Sequence, residues 1–168
     1  QWIVPCAARG RPNGLPGTDL VDQIVRVVEE FRPQVVHVWG TESFWGVLTA
    51  RRAIHGPAVV LEMQGLKLAV AKLFHGGLSL AERMACMGLK EYLCRTGIRQ
   101  KQKAFQRWGD VEREIIAGHE NICVQSPWME AHVRAINPLA QIFPVDLPLR
   151  SPFYREEPWK GGEAARHR

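Results

Sequence analysis

Cysteine is scarce in this chain of 168 residues, and its four (Cys6, Cys86, Cys94, Cys123) are scattered, with no CxxC pair and no matching histidine spacing. That argues against a zinc site, and the thiols read as reduced core residues of a cytoplasmic protein. Long apolar runs are also missing. The most apolar stretch, Leu66 to Leu80, is broken by Lys67, Lys72 and His75, well short of the roughly 18 apolar residues that cross a bilayer. No basic segment followed by an apolar one opens the chain as a secretory signal would. Neither GxGxxG nor GxxxxGK[ST] occurs, which weakens an unrelated nucleotide-binding domain of the Rossmann type as an explanation. No internal repeat is visible. What is present, 46% hydrophobic and 23% charged residues, suits one ordinary globular domain able to bury a sizeable core.

The net charge of +5 has a location. Lys90, Arg95, Arg99, Lys101, Lys103 and Arg107, against Glu91 alone, account for all of it. A nucleic-acid binder would spread its charge over a wider face, so nucleic acid is not expected as a partner. On a helical wheel Arg95, Arg99, Lys103 and Arg107 form a stripe of i, i+4 neighbours, opposite Cys94, Ile98, Phe105 and Trp108. Like charges at that spacing repel by about a few tenths of a kcal/mol per pair. The commonest explanation is a solvated helix face. The functional alternative is attraction to anionic lipid or a phosphate-bearing acceptor, worth about 1 kcal/mol per cation at a charged membrane. Lys101 falls on the apolar side and weighs against the membrane reading, which ranks second.

The order of elements is that of an α/β protein. Gln1-Trp2-Ile3-Val4, with no initiating Met, reads as the middle of a strand or loop of a longer protein. After the turn-rich Gly10–Gly17 stretch, Thr18 or Asp19 can cap a helix with Leu20, Ile24, Val27, Val28 and Phe31 on one face, stopped by Pro33. Val35–Trp39 reads as a strand buried on both faces. Ser43 can cap a helix reaching Gly56, and Ala58–Met63 is the next strand. Ser79 and Glu82 form a capping box, and helix then continues to about His119, with Gly97 and Gly109 as breaks. Asn121–Gln125 is a strand, Ser126-Pro127 starts a helix that ends at Asn137-Pro138, and Gln141–Val145 is a last strand. Strands alternating with helices predict a Rossmann-like parallel sheet flanked by helices, spanning residues 1–154, with 155–168 a linker or frayed end.

In such sheets ligands bind beyond the carboxyl ends of the strands. That rule selects Gly40-Thr41-Glu42, Gln64-Gly65-Leu66 and Ser126-Pro127-Trp128. Ser126 either caps its own helix, the bland reading, or offers an anion site at a helix start. A carboxylate at Glu42 has to point into a solvated cleft or find a partner. His37, inside its strand, reads as a satisfied core or rim histidine. Trp39 and Trp128 are either stacking platforms for an acceptor or packed residues, the commoner fate of tryptophan. Glu112 and Glu120 have E-x(7)-E spacing, but Glu112 stands at what reads as a plain amphipathic helix start, where acidic residues favour the macrodipole.

Six segments taken together carry a resemblance. They are His37-Val38-Trp39-Gly40-Thr41-Glu42, Met63-Gln64-Gly65-Leu66, Arg99 to Arg107, Ser126-Pro127-Trp128, Ala135-Ile136-Asn137-Pro138 and Leu149 to Tyr154. In this order they resemble the N-terminal, acceptor-side domain of bacterial family 4 glycosyltransferases, one half of a GT-B fold. The resemblance implies retaining, metal-independent transfer from a nucleotide-sugar, a co-substrate rather than a cofactor, to a polysaccharide or lipid-linked acceptor. It implies substrate contacts from Gly40, Thr41, Glu42, Gln64, Gly65, Ser126, Trp128 and Arg150. The nucleotide would be held by a C-terminal domain beyond Arg168, leaving this chain inactive alone. Gln64, where relatives often carry histidine, cannot shuttle a proton near neutral pH and is expected to position the sugar. The expected place is the cytoplasm, or the inner face of the cell membrane. The rival is a non-catalytic binding module of the same fold.

Overall fold

The computed structural model describes residues 16–86, 88–94, 96–146 and 151–155. Four strands, β1 (Val35–Trp39), β2 (Ala58–Glu62), β3 (Asn121–Val124) and β4 (Gln141–Pro144), lie side by side in chain order, every pair parallel. Parallel neighbours need crossovers, and helices supply them. Helix α1 (Thr18–Phe31) precedes the sheet, α2 (Trp45–Ala50) joins β1 to β2, and α7 (Pro127–Ile136) joins β3 to β4. The long β2–β3 crossover holds α3 (Lys67–Leu73), α4 (Leu80–Ala85), α5 (Leu89–Leu93) and α6 (Ile98–Gly118). A short helix, α8 (Ser151–Arg155), is the last element among the described residues. This is a Rossmann-like α/β arrangement.

Register explains which residues make the core. Val38 stands opposite Leu61, and Leu61 opposite Ile122. With Val124 they meet Val47 of α2, Ile115 and Ile116 of α6, and Val133 of α7 in one buried cluster. Each such side chain contributes about 1.5–3 kcal/mol by leaving water. Val36, on the same face, also packs on a second cluster in which Ile24 of α1 meets Phe44, Leu48 and Ile54. The alternate residues of β1 point the other way. Val35 and Trp39 are 54% and 59% exposed, so β1 is buried on one face and not on both as its composition predicts. Among the described residues it is the strand at one end of the sheet, and no described helix covers that face.

Helix ends follow the sequence in part. Ser79 accepts from the Glu82 amide and Glu82 from the Ser79 amide, the expected capping box. Ser126 caps α7 with Pro127 in its first turn. Neither Thr18 nor Asp19 caps α1, whose N-cap is Gly17, and Ser43 does not cap α2, which starts from Phe44 and stops at Ala50, well before Gly56. Gly97 is the N-cap of α6, as a break should be, but Gly109 is buried inside that helix. A β-carbon on Gly109 would lie 3.1 Å from the Leu68 Cα, so this glycine permits the close approach of α6 to α3. Cys86 and Cys94 are exposed rather than in the core, because they end α4 and α5, where no described side chain is buried. Cys6 and the opening and closing segments lie outside the described residues.

Candidate functional site

The parallel pairing puts the carboxyl ends of β1, β2 and β3 along one edge of the sheet. There Gly40 leaves β1 with φ +77°, a left-handed conformation suited to glycine, and its amide donates to the Glu62 carbonyl at 2.8 Å. A β-carbon on Gly40 would collide with the Glu42 carboxylate and sit 3.7 Å from Gln64 Cγ; one on Gly65 would be 3.8 Å from Glu42 Oε1. Gly40, Glu42, Gln64 and Gly65 therefore form one cluster, in which Glu42 and Gln64 are exposed. Both glycines leave room for the carboxylate of Glu42.

Thr41 does not face solvent. It is fully buried, and its hydroxyl donates to Glu112 Oε1 at 2.6 Å. The other oxygen of Glu112 accepts the Leu68 amide at 2.8 Å. One buried carboxylate thus ties the loop after β1 to the first turn of α3. This corrects the reading of Glu112 as a plain amphipathic helix start. The signal was present in the spacing, since Val111, Glu112, Ile115 and Ile116 share the buried face of α6. Glu120 is exposed while Glu112 is enclosed, so the E-x(7)-E pair forms no common site.

Lys67 completes this region and carried no distinguishing signal in the sequence. Its ammonium lies 4.5 Å from the centre of the Trp108 ring, a cation–π contact between α3 and α6. Burial lowers its pKa below the ordinary lysine value, opposed by the attraction of Glu42 and Glu112.

On the neighbouring strand end, Ser126 Oγ accepts the Met129 amide at 3.2 Å, the capping role. Trp128 is 53% exposed beside the His132 ring, and Trp39 is exposed too, so neither takes the packed fate expected of tryptophan. Trp39 is the last residue of β1, and Trp128 is the second residue of α7, four residues past the end of β3. His37 is a rim residue, its Nε2 at 2.9 Å from Glu62 Oε2. Burial and the adjacent Glu62 carboxylate raise the pKa of the half-buried Cys123 thiol above its ordinary value. Arg150 and Arg95 lie outside the described residues, whereas Arg99, Lys103 and Arg107 are exposed along α6 as the stripe predicts. A cavity of about 520 Å³ lies away from the strand edge, lined by Glu91, Arg99, Gln102 and Lys103.

An all-parallel sheet with polar loops gathered at its carboxyl edge is shared by many ligand-binding proteins, and sequence decides among them. Residues 2–144 match the glycosyl transferase 4-like domain. The chain belongs to that family. Neither a curated protein nor a solved structure matches it. Within this glycosyl transferase 4-like domain, no three His, Cys, Asp or Glu side chains among the described residues gather as a metal site would require. No helix among them is long and apolar enough to cross a membrane.

Proposed function

We propose that this glycosyl transferase 4-like domain forms the acceptor side of a retaining glycosyltransferase. It would help move a sugar from a nucleotide-sugar to a polysaccharide or lipid-linked acceptor. The observation that carries the reading is the cluster of Gly40, Glu42, Gln64 and Gly65 at the carboxyl ends of β1 and β2, with Ser126 and Trp128 following the neighbouring strand β3. In this reading Gln64 donates to and accepts from sugar hydroxyls, Glu42 accepts from them, and exposed Trp128 offers a flat apolar face to a ring. Glu112 holds the two loops in register, because transfer depends on keeping both reactants within near-attack distance. The donor nucleotide is held mainly by a second domain, as in the two-domain enzymes that the sequence resembles.

A peripheral membrane contact belongs to the same proposal. Leu80 and Met84 on α4, and Leu89 and Leu93 on α5, are all more than half exposed. Arg83, Lys90, Arg99 and Lys103 stand on the same stretch of chain. Exposed apolar side chains among cations suit an anionic lipid surface at the inner face of the membrane.

The test is a product assay with UDP- and GDP-sugars and a polyprenyl-linked acceptor. These 168 residues alone should give no turnover, and joining a nucleotide-binding half after Arg168 should give turnover that Gln64→Ala reduces. Product from the chain alone would overturn the division of labour. Absence of product from the joined protein would favour a non-catalytic binding module.

A further inference from the structure

We propose that the cavities between α4, α5 and the start of α6 hold the headgroup of a single anionic phospholipid, and that they select a headgroup carrying hydroxyl groups. The inference rests on the membrane part of the function proposed above and deepens it: the surface reads the chemistry of one lipid and not its charge alone. Three observations carry it. The cavity of about 520 Å³ is lined by three side-chain amides, Gln100, Gln102 and Gln106, together with Glu91, Arg99 and Lys103. A second cavity, of about 260 Å³, has Leu80, Met84 and Ile98 on its wall with Arg83. The two share Arg99 and Gln102, and among the described residues Arg83, Arg99 and Lys103 make no ion pair.

The shared wall sets these groups in the order of the parts of a phospholipid. On one side lie Leu80 and Met84, exposed apolar side chains that acyl chains would cover. Arg99 stands at the junction, and a guanidinium matches phosphodiester oxygens through paired, charge-assisted hydrogen bonds. On the other side lie the amides. They carry no charge and add nothing to the attraction of an anionic surface, but they donate to and accept from hydroxyls. A flat basic face would have no use for them. Glu91 would repel a wholly anionic occupant, so neutral hydroxyls that donate to its carboxylate are expected beside it.

Cosedimentation with vesicles of equal negative charge is the test, with no donor or acceptor sugar present. Phosphatidylglycerol and phosphatidylmethanol carry the same phosphodiester, and only the first has headgroup hydroxyls. The chain should bind phosphatidylglycerol vesicles about fivefold more tightly, the worth of one net hydrogen bond. Gln102→Ala and Gln106→Ala should each abolish that preference and leave binding to phosphatidylmethanol unchanged. Gln102 also contacts His75, whereas Gln106 makes no hydrogen bond among the described residues, so the second variant stands even where the first fails to fold. Arg99→Gln should weaken binding to both lipids about fivefold, and Arg113→Gln, exposed further along α6, by less than about twofold. Equal affinity for the two lipids would overturn the headgroup site and leave the membrane contact standing; binding to neither would overturn both. Equal losses in Arg99→Gln and Arg113→Gln would overturn it by reducing the site to diffuse charge. Phosphatidylcholine vesicles carrying polyprenyl phosphate that bind as tightly, with the same dependence on Gln106, would assign the cavities to an acceptor lipid and overturn it as well.

Discussion

Glu112 has no solvent to satisfy it, so its carboxylate depends on the Thr41 hydroxyl and the Leu68 amide. Removing the side chain leaves both donors buried without an acceptor and opens a cavity. Glu112→Ala should therefore cost about 3 kcal/mol in urea unfolding, and Thr41→Val about 1–2 kcal/mol. The double variant should lose less than the sum by about 1 kcal/mol, because the two share one hydrogen bond. Strict additivity would mean that the bond contributes nothing. The sequence displayed the apolar spacing around Glu112 but not its partners, which stand 71 and 44 residues away along the chain. Lys67 was less legible still. Its environment is built by Trp108 and by loops that only the folded chain brings near.

His119 gives a pH dependence of known sign. Its Nδ1 donates to the Ile115 carbonyl at 2.7 Å, leaving Nε2 to accept from the Thr49 hydroxyl at 2.8 Å. Burial lowers its pKa below the ordinary 6.5, partly offset by the Ile115 hydrogen bond. The unfolded chain thus takes up a proton below about pH 6.5 while the folded chain still excludes it, and stability falls as pH drops through that window. Above it the contribution is complete and flat. Urea midpoints measured from pH 8 downwards should show this decline, and His119→Gln should flatten it. An unchanged slope in the variant would assign the decline to other groups.

Helix α6 is the element on which the site is built, since Trp108, Gly109 and Glu112 on its successive turns meet α3 and the loop after β1. In an exposed helix, replacing glycine by alanine gains up to about 1 kcal/mol. At Gly109 the sign should reverse, because the new methyl group would lie 3.1 Å from the Leu68 Cα and 3.5 Å from its amide nitrogen, both backbone atoms. Gly109→Ala is expected to destabilise by about 1–3 kcal/mol, the usual cost of overpacking, and to weaken whatever binds beside Gln64. A more stable variant would show that α3 is free to move away. Periodicity in the sequence marked the helix but read Gly109 as its interruption. Whether a glycine breaks a helix or lets two helices touch depends on the neighbour, and here that neighbour is Leu68. The Ser79 and Ser126 caps were legible for the opposite reason, being made within three residues of chain.

For the whole molecule, the order of strands and helices was readable because each element declares itself locally and parallel pairing needs a crossover between strands. Which apolar face of a strand stays open is settled by packing, and here the burial of β1 on both faces that its composition predicts is not met among the described residues. The membrane proposal is tested at this scale. Replacing Arg99, Lys103 and Arg107 by Gln should reduce cosedimentation with anionic vesicles by at least about tenfold, given about 1 kcal/mol per cation. Added salt should have the same direction of effect, because exposed charges are screened within about 8 Å at physiological ionic strength. Equal binding to neutral and anionic vesicles would remove the electrostatic part of the proposal.

The α4 and α5 segment, without a buried side chain among its described residues, is also where the chain can be cut. Such stretches open locally at little cost, and trypsin should cleave first beside Arg83 and Lys90. One resulting piece carries α1, β1, β2 and α3, the other α6, β3, α7 and β4. They should remain together after nicking, eluting as one species, because Leu61 packs on Ile122 and α3 on α6 without any help from the severed peptide. Prompt separation on gel filtration would count against this. The strand-end edge would then be a seam between two non-covalently joined halves, with Gln64 and Lys67 on one and Trp108, Glu112 and Ser126 on the other. Two separately produced halves that regain a cooperative urea-unfolding transition only when mixed would report directly on whether that seam has closed.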